Sequence, residues 1–298
     1  MITRKKLSVI PIAYKDEGNV AELYKRTSVA LKKITPNYEI IYVNDASPDR
    51  SQEILSKLAK KDKHLTVILH SRNFGAQSAF TTGMKYATGD AIVIMDGDLQ
   101  DPPELIENFV NKWLAGYEVV YGVRRKREKS MGGFWEMIYH LFYVTFNKLS
   151  YVKVPLDAGD FSLMDRKVVD QINALPEKDR FIRGLRAWVG FRQVGISYTR
   201  PERFSGKGVS TNSILKGLTW ARKAIFSFSY APLEWVFYLA LFSVGLSFLA
   251  MVFYLLIYYS NPSAPKGFMT TLVAILFMGS VQISILAIIC EYLRRIFE

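Results

Sequence analysis

Apolar and polar positions alternate in blocks along the first 95 residues. Four short apolar runs, each followed by a polar loop, lie at residues 7–12, 38–43, 65–69 and 91–95. Between them, apolar side chains recur at helical spacing over residues 20–34, 51–61 and 76–86. Strands that alternate with helices in this way predict right-handed crossovers and a mostly parallel sheet. The fold class is therefore α/β.

The pattern continues less regularly up to about residue 200. It predicts helices at 104–114 and 168–175, strands at 117–123 and 192–199, and a carboxylate-rich turn at 156–165 that leads into a short strand. Residues 131–152 are apolar at nearly every helical position except Glu136, His140 and Lys148, which predicts a helix lying in a membrane interface. The alternative is a buried core helix. The aromatic surface of residues 131–152 also suggests a homo-oligomer.

Two long apolar segments close the chain. Residues 235–259 and 267–290 run for 25 and 24 positions without a charge, which is enough to cross a bilayer core. We expect a catalytic domain at 1–211, an amphipathic juxtamembrane helix at 212–230 and a two-helix transmembrane anchor at 233–298. A soluble helical hairpin is the alternative.

Basic residues flank these segments unequally. Arg222 and Lys223 precede the first and Arg294 and Arg295 follow the second, whereas the turn between them holds only Lys266. The positive-inside rule then predicts an integral protein of the cytoplasmic membrane whose catalytic domain faces the cytoplasm.

The chain is strongly basic, with 39 Lys and Arg against 27 Asp and Glu and a net charge of +12. Such an excess suits an anionic membrane surface or a phosphate-rich substrate. Nucleic acid is not expected as a partner because no recognised binding motif is present. Neither the glycine-rich dinucleotide fingerprint nor the phosphate-binding Gly-Lys-Ser/Thr loop occurs, which disfavours dehydrogenases and P-loop enzymes. The single cysteine, Cys290, excludes an intrachain disulfide.

The candidate chemistry is concentrated where apolar runs end. Asp96 and Asp98 follow the run 91–95, so they lie at the carboxyl edge of the sheet, where ligands bind in open α/β folds. Two such carboxylates can hold a hard divalent cation shared with substrate phosphates, or they can form an ordinary polar turn. The basic segments 124–127 and 203–208 suit a diphosphate, although each is also compatible with a solvated loop.

Six motifs taken together, in this order, resemble the family 2 glycosyltransferases. They are Tyr14-Lys15-Asp16, Val43-Asn44-Asp45-Ala46-Ser47, Asn73-Phe74-Gly75, Asp96-Gly97-Asp98-Leu99-Gln100-Asp101-Pro102-Pro103, Gly122-Val123-Arg124-Arg125 and Asp157-Ala158-Gly159-Asp160-Phe161. With the two apolar segments, they resemble the membrane-bound branch that moves a sugar from a nucleotide onto polyprenyl phosphate. The resemblance implies a GT-A-like, Rossmann-like domain that transfers nucleotide-diphospho-sugars.

The same resemblance implies roles for individual residues. Tyr14, Asp16 and Val43 would line the nucleoside, and Asp45 would accept the imide N–H of uracil or guanine. Asp96, Asp98 and Gln100 would hold Mg²⁺ or Mn²⁺ against the diphosphate. Arg124 and Arg203 would meet phosphates, and Asp157 would serve the acceptor site, either as a base or by positioning.

Two departures from the family pattern leave alternatives open. The family's Asn-Glu near the first strand is replaced here by Lys15-Asp16, so the ribose contact is either Asp16 or Glu17. The family's Gly-Glu-Ser-Lys loop is replaced by Gly206-Lys207-Gly208-Val209, so its lysine is either shifted to Lys207 or lost.

The expected function is inverting, metal-dependent transfer of a sugar from a nucleotide sugar, with a UDP-sugar such as UDP-glucose favoured, to polyprenyl phosphate. The product would be a lipid-linked sugar for cell-envelope glycans. One alternative is an enzyme of the same fold that elongates a polysaccharide. The other is a non-catalytic membrane scaffold that binds a nucleotide sugar.

Overall fold

The computed structural model describes residues 1–124, 158–177, 180–205 and 267–297, with scattered positions between 235 and 256. These residues belong to two compact units. The first contains the described residues up to 205, and the second contains those from 235 onward. The predicted domain boundaries stay a prediction.

A seven-stranded sheet forms the centre of the first unit. Its spatial order is β3-β2-β1-β4-β6-β5-β7. The strands are β1 (Leu7–Ala13), β2 (Tyr38–Asn44), β3 (Leu65–Leu69), β4 (Ala91–Met95), β5 (Val119–Arg124), β6 (Ala158–Asp165) and β7 (Gln193–Tyr198). All neighbours are parallel except β6, which runs antiparallel to β4 and to β5. The predicted mostly parallel α/β sheet is confirmed.

Helices cover the sheet because their apolar faces pack against it. The helices of this unit are α1 (Glu17–Ile34), α2 (Ser51–Ala59), α3 (Ala76–Tyr86), α4 (Ile106–Leu114), α5 (Arg166–Ala174) and α6 (Ile182–Trp188). α1 contacts α2 and α4, whereas α3 contacts α5, which contacts α6. Every residue of β4 is buried, as expected for a continuous apolar run with helices on both sides.

Strand direction gathers the loops that matter at one edge of the sheet. β6 is antiparallel to both of its neighbours, so β5 and β7 point the same way as β1 to β4. The carboxyl ends of those six strands and the amino end of β6 therefore share one edge. That edge carries the loops after β1, β2, β3 and β4, and the ends of β5 and β7.

Most element bounds agree with the sequence pattern to within three residues. The helix predicted at 104–114 begins as a 3₁₀ turn, Pro103–Leu105, before α4. The carboxylate-rich turn predicted at 156–165 is wrong over residues 158–165, where the structure has the eight-residue strand β6. It is long because it pairs on both sides, which periodicity along one segment cannot reveal.

Several predictions fall outside the described residues. They include the interfacial helix 131–152, the juxtamembrane helix 212–230, Asp157 and Lys207, and most of the segment 235–259. In the second unit, α7 (Phe268–Phe297) contains most of the segment 267–290. Within the described part of the chain, none of the helices meets the combined length and hydropathy expected of a membrane span.

Candidate functional site

The loops after β1 and β2 hold each other through carboxylates that accept backbone N–H groups. Asp49 accepts from the N–H of Ser51 at 3.0 Å and from that of Glu17 at 3.0 Å, and Glu17 in turn accepts from the N–H of Arg50 at 3.0 Å. We call Glu17, Asp45 and Asp49 the backbone-capped cluster. Because carboxylates suit the unpaired N–H groups at helix starts, Asp49 and Glu17 fix the entries to α1 and α2.

Asp45 is the most buried member, with 3 % of its surface exposed. Its Oδ1 accepts from the N–H of Phe74 at 2.9 Å and lies 2.7 Å from Nδ1 of His70, and its Oδ2 accepts from the N–H of Gly75 at 2.7 Å. Asp45 therefore secures the loop that follows β3. Its predicted contact with a nucleobase stays a prediction.

A second group of carboxylates at the same edge is paired with guanidinium groups instead. Nη2 of Arg200 lies 4.0 Å from Oδ2 of Asp96 and 3.6 Å from Oδ2 of Asp98. Nη1 of Arg203 lies 3.8 Å from that Asp98 oxygen, and its Nη2 donates to Asp16. We call Asp16, Asp96, Asp98, Arg200 and Arg203 the ion-pair cluster. The segment after β7 thus places two cations over the carboxylates that follow β1 and β4.

Close packing determines the backbone beneath this cluster. A Cβ atom at Gly97 would lie 2.0 Å from the carbonyl oxygen of Ile12, so only glycine fits between the two carboxylates. Leu99 is buried with φ 61°, and Lys15 and Ala46 have φ 59° and 52° in the loops after β1 and β2. Non-glycine residues in this left-handed conformation are strained and concentrate at functional sites.

The surroundings of Asp96 favour the protonated form of its carboxyl group. Its side chain is 29 % exposed, yet protein atoms surround it on most sides. Burial raises the pKa of Asp96 to about 8, and repulsion from Asp101, Asp160 and Asp98 adds to the effect while Arg124 opposes it. Burial also raises the pKa of Asp16. A cation bound beside Asp96 would favour the ionised form of its carboxyl group.

Arg124, at the end of β5, belongs to a buried network next to this cluster. Oη of Tyr198 donates to Oδ1 of Asp101 at 2.5 Å, and Oδ2 of Asp101 and Nε of Arg124 have no hydrogen-bond partner among the described residues. Burial would lower the pKa of Arg124, but Asp101 and Tyr198 raise it above its usual value. Buried polar atoms without partners are costly and are compatible with a ligand that pairs with them.

The start of β6 carries a second buried charge pair. Arg183 on α6 donates to both oxygens of Asp160, at 2.9 and 2.8 Å. Arg186, 1 % exposed, donates to the carbonyl of Gly159 at 3.4 Å from each terminal nitrogen. Burial would raise the pKa of Asp160, but Arg183 lowers it below its usual value. Asp160 is thus already balanced, unlike Asp96.

A cleft of about 440 Å³ opens beside these groups at the ends of β1 and β2. It is lined by Lys15, Asp16, Glu17, Gly18, Asn19, Pro48, Asp49 and Ser205. It therefore lies between the backbone-capped cluster and the segment that carries Arg203. Both candidates for a ribose contact, Asp16 and Glu17, face it.

The structure brings most of the sequence-predicted residues to one edge. The residues that lie in its loops, at strand ends or at the start of α1 are Tyr14, Asp16, Glu17, Asp45, Asp96, Asp98, Arg124 and Arg203. Val43 is fully buried in β2. Gln100 donates its side-chain N–H to the carbonyl of Pro201 at 3.3 Å. Asp157 and Lys207 are outside the described residues.

Sequence reasoning missed Arg200, Tyr198 and His70 and gave no role to Asp101, Asp160 or Arg183. The spacing of Arg180, Arg183 and Arg186 was a visible signal of a basic helical stretch, of which Arg183 and Arg186 lie on α6 and Arg180 precedes it. Arg200 follows the last predicted strand, but its approach to Asp98 depends on where β7 joins the sheet. No pattern along the chain specifies that position.

The donor set suits a cation that is shared with a substrate. Among the described residues, no group of three or more acidic, histidine or cysteine side chains forms a complete metal cage. Mg²⁺ in particular is commonly held by one or two carboxylates together with waters and substrate phosphates. Asp96 and Asp98 fit that arrangement, with Gln100 beside them.

Most of the first 172 residues match a known protein family. The model of Glycosyl transferase family 2 matches residues 8–172, which is more than half of the chain. The chain belongs to glycosyl transferase family 2. It is therefore a glycosyltransferase that uses a nucleotide sugar.

Relatives match along nearly the whole length. An uncharacterized glycosyltransferase, YkcC of Bacillus subtilis, is 40 % identical over 97 % of this chain and 88 % of its own. A bactoprenol glucosyl transferase of Shigella phage SfX is 35 % identical over 98 % of this chain and 95 % of its own. Among solved structures, glucosyl-3-phosphoglycerate synthase of Mycobacterium tuberculosis has a TM-score of 0.50 at 19 % identity, over 74 % of this chain and 78 % of its own. That likeness supports the fold.

Proposed function

We propose that this glycosyltransferase moves a sugar, with inversion, from a UDP-sugar such as UDP-glucose to polyprenyl phosphate at the cytoplasmic face of a membrane. The observation that carries the proposal is the ion-pair cluster, in which two arginines cover two carboxylates at the carboxyl edge of the sheet. The bactoprenol glucosyl transferases, similar along nearly their whole length, support a polyprenyl phosphate acceptor.

Asp96 and Asp98, with Gln100, would hold Mg²⁺ or Mn²⁺. A divalent cation in that position supplies charge neutralisation for a diphosphate leaving group. Arg200 and Arg203 lie within 4.0 Å of the same carboxylates, so their guanidinium groups can turn to phosphate oxygens once the carboxylates are otherwise paired. The protein thus stabilises charge where the bond to the sugar breaks.

The acceptor side needs little proton chemistry. A polyprenyl phosphate is already anionic, so its oxygen can attack the anomeric carbon without a strong base. Arg124, whose buried Nε has no partner among the described residues, supports binding of a phosphate next to Asp96. Asp157 would position the acceptor. A single displacement of this kind inverts the anomeric carbon.

Membrane attachment completes the proposal. The uncharged segments 235–259 and 267–290 would anchor the chain, with the helices 131–152 and 212–230 at the bilayer surface. The basic residues on either side of the anchor support a catalytic domain on the cytoplasmic side. The lipid-linked sugar would then supply cell-envelope glycans.

The experiment is a transfer assay with the purified full-length protein. It combines a panel of UDP- and GDP-sugars, polyprenyl phosphate and Mn²⁺, and lipid-linked sugar is measured by thin-layer chromatography and mass spectrometry. We expect one UDP-sugar to give a product in which the anomeric configuration is inverted. Hydrolysis or polymer formation without lipid-linked sugar would contradict the proposal.

A further inference from the structure

The ring of His70 joins three elements at the functional edge. His70 follows β3, and its backbone N–H donates to the carbonyl of Asn44 at 3.0 Å. Its Nδ1 lies 2.7 Å from Oδ1 of Asp45, and its Nε2 lies 3.0 Å from Oγ1 of Thr82 on α3. The ring also meets Phe74 edge-on, with centroids 5.4 Å apart. The end of β2, the loop after β3 and helix α3 thus converge on one imidazole.

These contacts determine the direction of each hydrogen bond of the ring when the imidazole is neutral. An ionised carboxylate only accepts hydrogen bonds, so Nδ1 of His70 donates to Asp45. In the neutral imidazole, Nε2 then accepts from the hydroxyl of Thr82. Because the His70 side chain is only 10 % exposed, water competes little for either contact. Thr82 orients His70, and His70 orients Asp45.

The contacts of Asp45 use most of the hydrogen bonds that its carboxylate can accept. A carboxylate accepts hydrogen bonds in about four directions, and three are filled by His70, Phe74 and Gly75. The remaining direction can take one N–H. Uracil and guanine present an N–H on the edge where cytosine and adenine present a lone pair, so a fixed acceptor discriminates between them.

We infer that His70 and Thr82 are positioning residues for nucleobase selection, acting through Asp45 and touching no substrate themselves. The inference rests on the proposed function, because it requires a bound nucleoside diphosphate whose base meets Asp45. Without His70, Asp45 keeps its two hydrogen bonds from backbone N–H groups but loses the contact between its Oδ1 and the imidazole. Its free direction is then less fixed, and discrimination between bases falls.

The test measures base discrimination in the full-length protein. Affinities for UDP and CDP are determined by calorimetry with Mn²⁺ present, for wild type and for His70→Leu, His70→Asn and Thr82→Val. We expect His70→Leu to lower the ratio of UDP to CDP affinity by about tenfold. His70→Asn, whose amide N–H reaches towards the position of Nδ1, should restore most of the ratio, and Thr82→Val should lower it by about threefold.

His64 provides the matched control. It lies just before β3, at the opposite edge of the sheet, where its Nδ1 is 3.0 Å from the carbonyl of Tyr38 and its ring stacks on Tyr38 at 4.6 Å. His64→Leu should change stability and leave the affinity ratio at the wild-type value. A loss of folded protein alone would reduce the binding stoichiometry and not the ratio.

The outcomes separate the two proposals. If wild type prefers UDP and His70→Leu keeps the full ratio, the positioning role of His70 is wrong while the proposed function stands. If wild type binds UDP without preferring it to CDP, the inference also fails. If wild type binds no nucleoside diphosphate, the proposed function fails and the inference fails with it.

Discussion

The backbone-capped cluster and the ion-pair cluster use the same residue types in opposite ways. In the first, Asp45 and Asp49 accept from backbone N–H groups of nearby loops and hold those loops in place. In the second, Oδ2 of Asp96 and Oδ2 of Asp98 lie 3.6 to 4.0 Å from guanidinium groups, which is longer than a hydrogen bond, and Oδ1 of Asp98 accepts from the backbone N–H of Gln100 at 3.1 Å. Most hydrogen-bonding positions of the first cluster are used within the chain, whereas the long ion pairs of the second can be exchanged for contacts with a ligand.

The largest expected effect comes from removing a charge from the ion-pair cluster. Asp98→Asn should lower turnover with a UDP-sugar by about a thousandfold, because the divalent cation that would stabilise the leaving diphosphate loses one of its carboxylate ligands. Steady-state formation of lipid-linked sugar measures it. Asp49→Asn is the matched control in the backbone-capped cluster, and its turnover should stay within about threefold of wild type. Equal losses in both variants would remove the distinction between the clusters.

The buried pair of Arg183 and Asp160 should contribute to the stability of the fold more than to ligand binding. Arg183→Met leaves the Asp160 carboxylate buried without its bidentate partner, and we expect a loss of about 3 kcal/mol in unfolding free energy. Arg26→Met breaks an equally bidentate pair with Glu104 at the surface, so about 1 kcal/mol or less is expected there. Denaturant unfolding measures both. Similar losses would mean that burial of the Asp160 pair has no consequence.

The sign of the pH dependence follows from the lowered pKa of Asp160. The paired carboxylate stabilises the fold above the pKa it has in the unfolded chain, and this contribution disappears as pH falls through its lower folded value. Arg183→Met should therefore lose less stability than wild type on acidification below about pH 4. A wild-type acid profile in the Arg183→Met variant would contradict this assignment.

Cation binding should depend on pH through Asp96. Its pKa of about 8 means that, at neutral pH without a cation, the site holds a proton that the cation must displace. Affinity for Mn²⁺ should therefore rise by about tenfold per pH unit from pH 6 to 8 and level off above that. Asp96→Asn should bind weakly with a flat profile. Titration calorimetry in two buffers of different ionisation enthalpy would also detect the released proton.

The pattern of the sequence predicted the fold better than it predicted the charges. The bounds of β3, α3 and β4 agree with their apolar periodicity to the residue, because the spacing of buried positions is present within each segment's own sequence. The carboxylates of both clusters were visible as well, since each follows an apolar run. The groups that pair with these carboxylates were not visible in the sequence. The contacts of Asp98 with Arg200 and Arg203 join residues about a hundred positions apart, and the antiparallel insertion of β6 decides where they meet.

The smallest expected effect separates the two ribose candidates. Glu17 accepts from the N–H of Arg50 at the start of α2, so Glu17→Gln should cost about 1 kcal/mol of stability through a weakened cap. The Michaelis constant for the donor should change by less than about threefold. Asp16→Asn, in the ion-pair cluster, should raise that constant more. The reverse order would identify Glu17 as the ribose contact.

Direct measurement of Mn²⁺ binding tests the central claim about the ion-pair cluster. Electron paramagnetic resonance counts free Mn²⁺ during titration of the full-length protein in the presence of UDP. Wild type and Asp49→Asn should each bind one Mn²⁺ per chain, tighter with UDP than without it, and Asp98→Asn should lose the UDP-dependent site. Equal binding by Asp98→Asn and wild type would contradict the account.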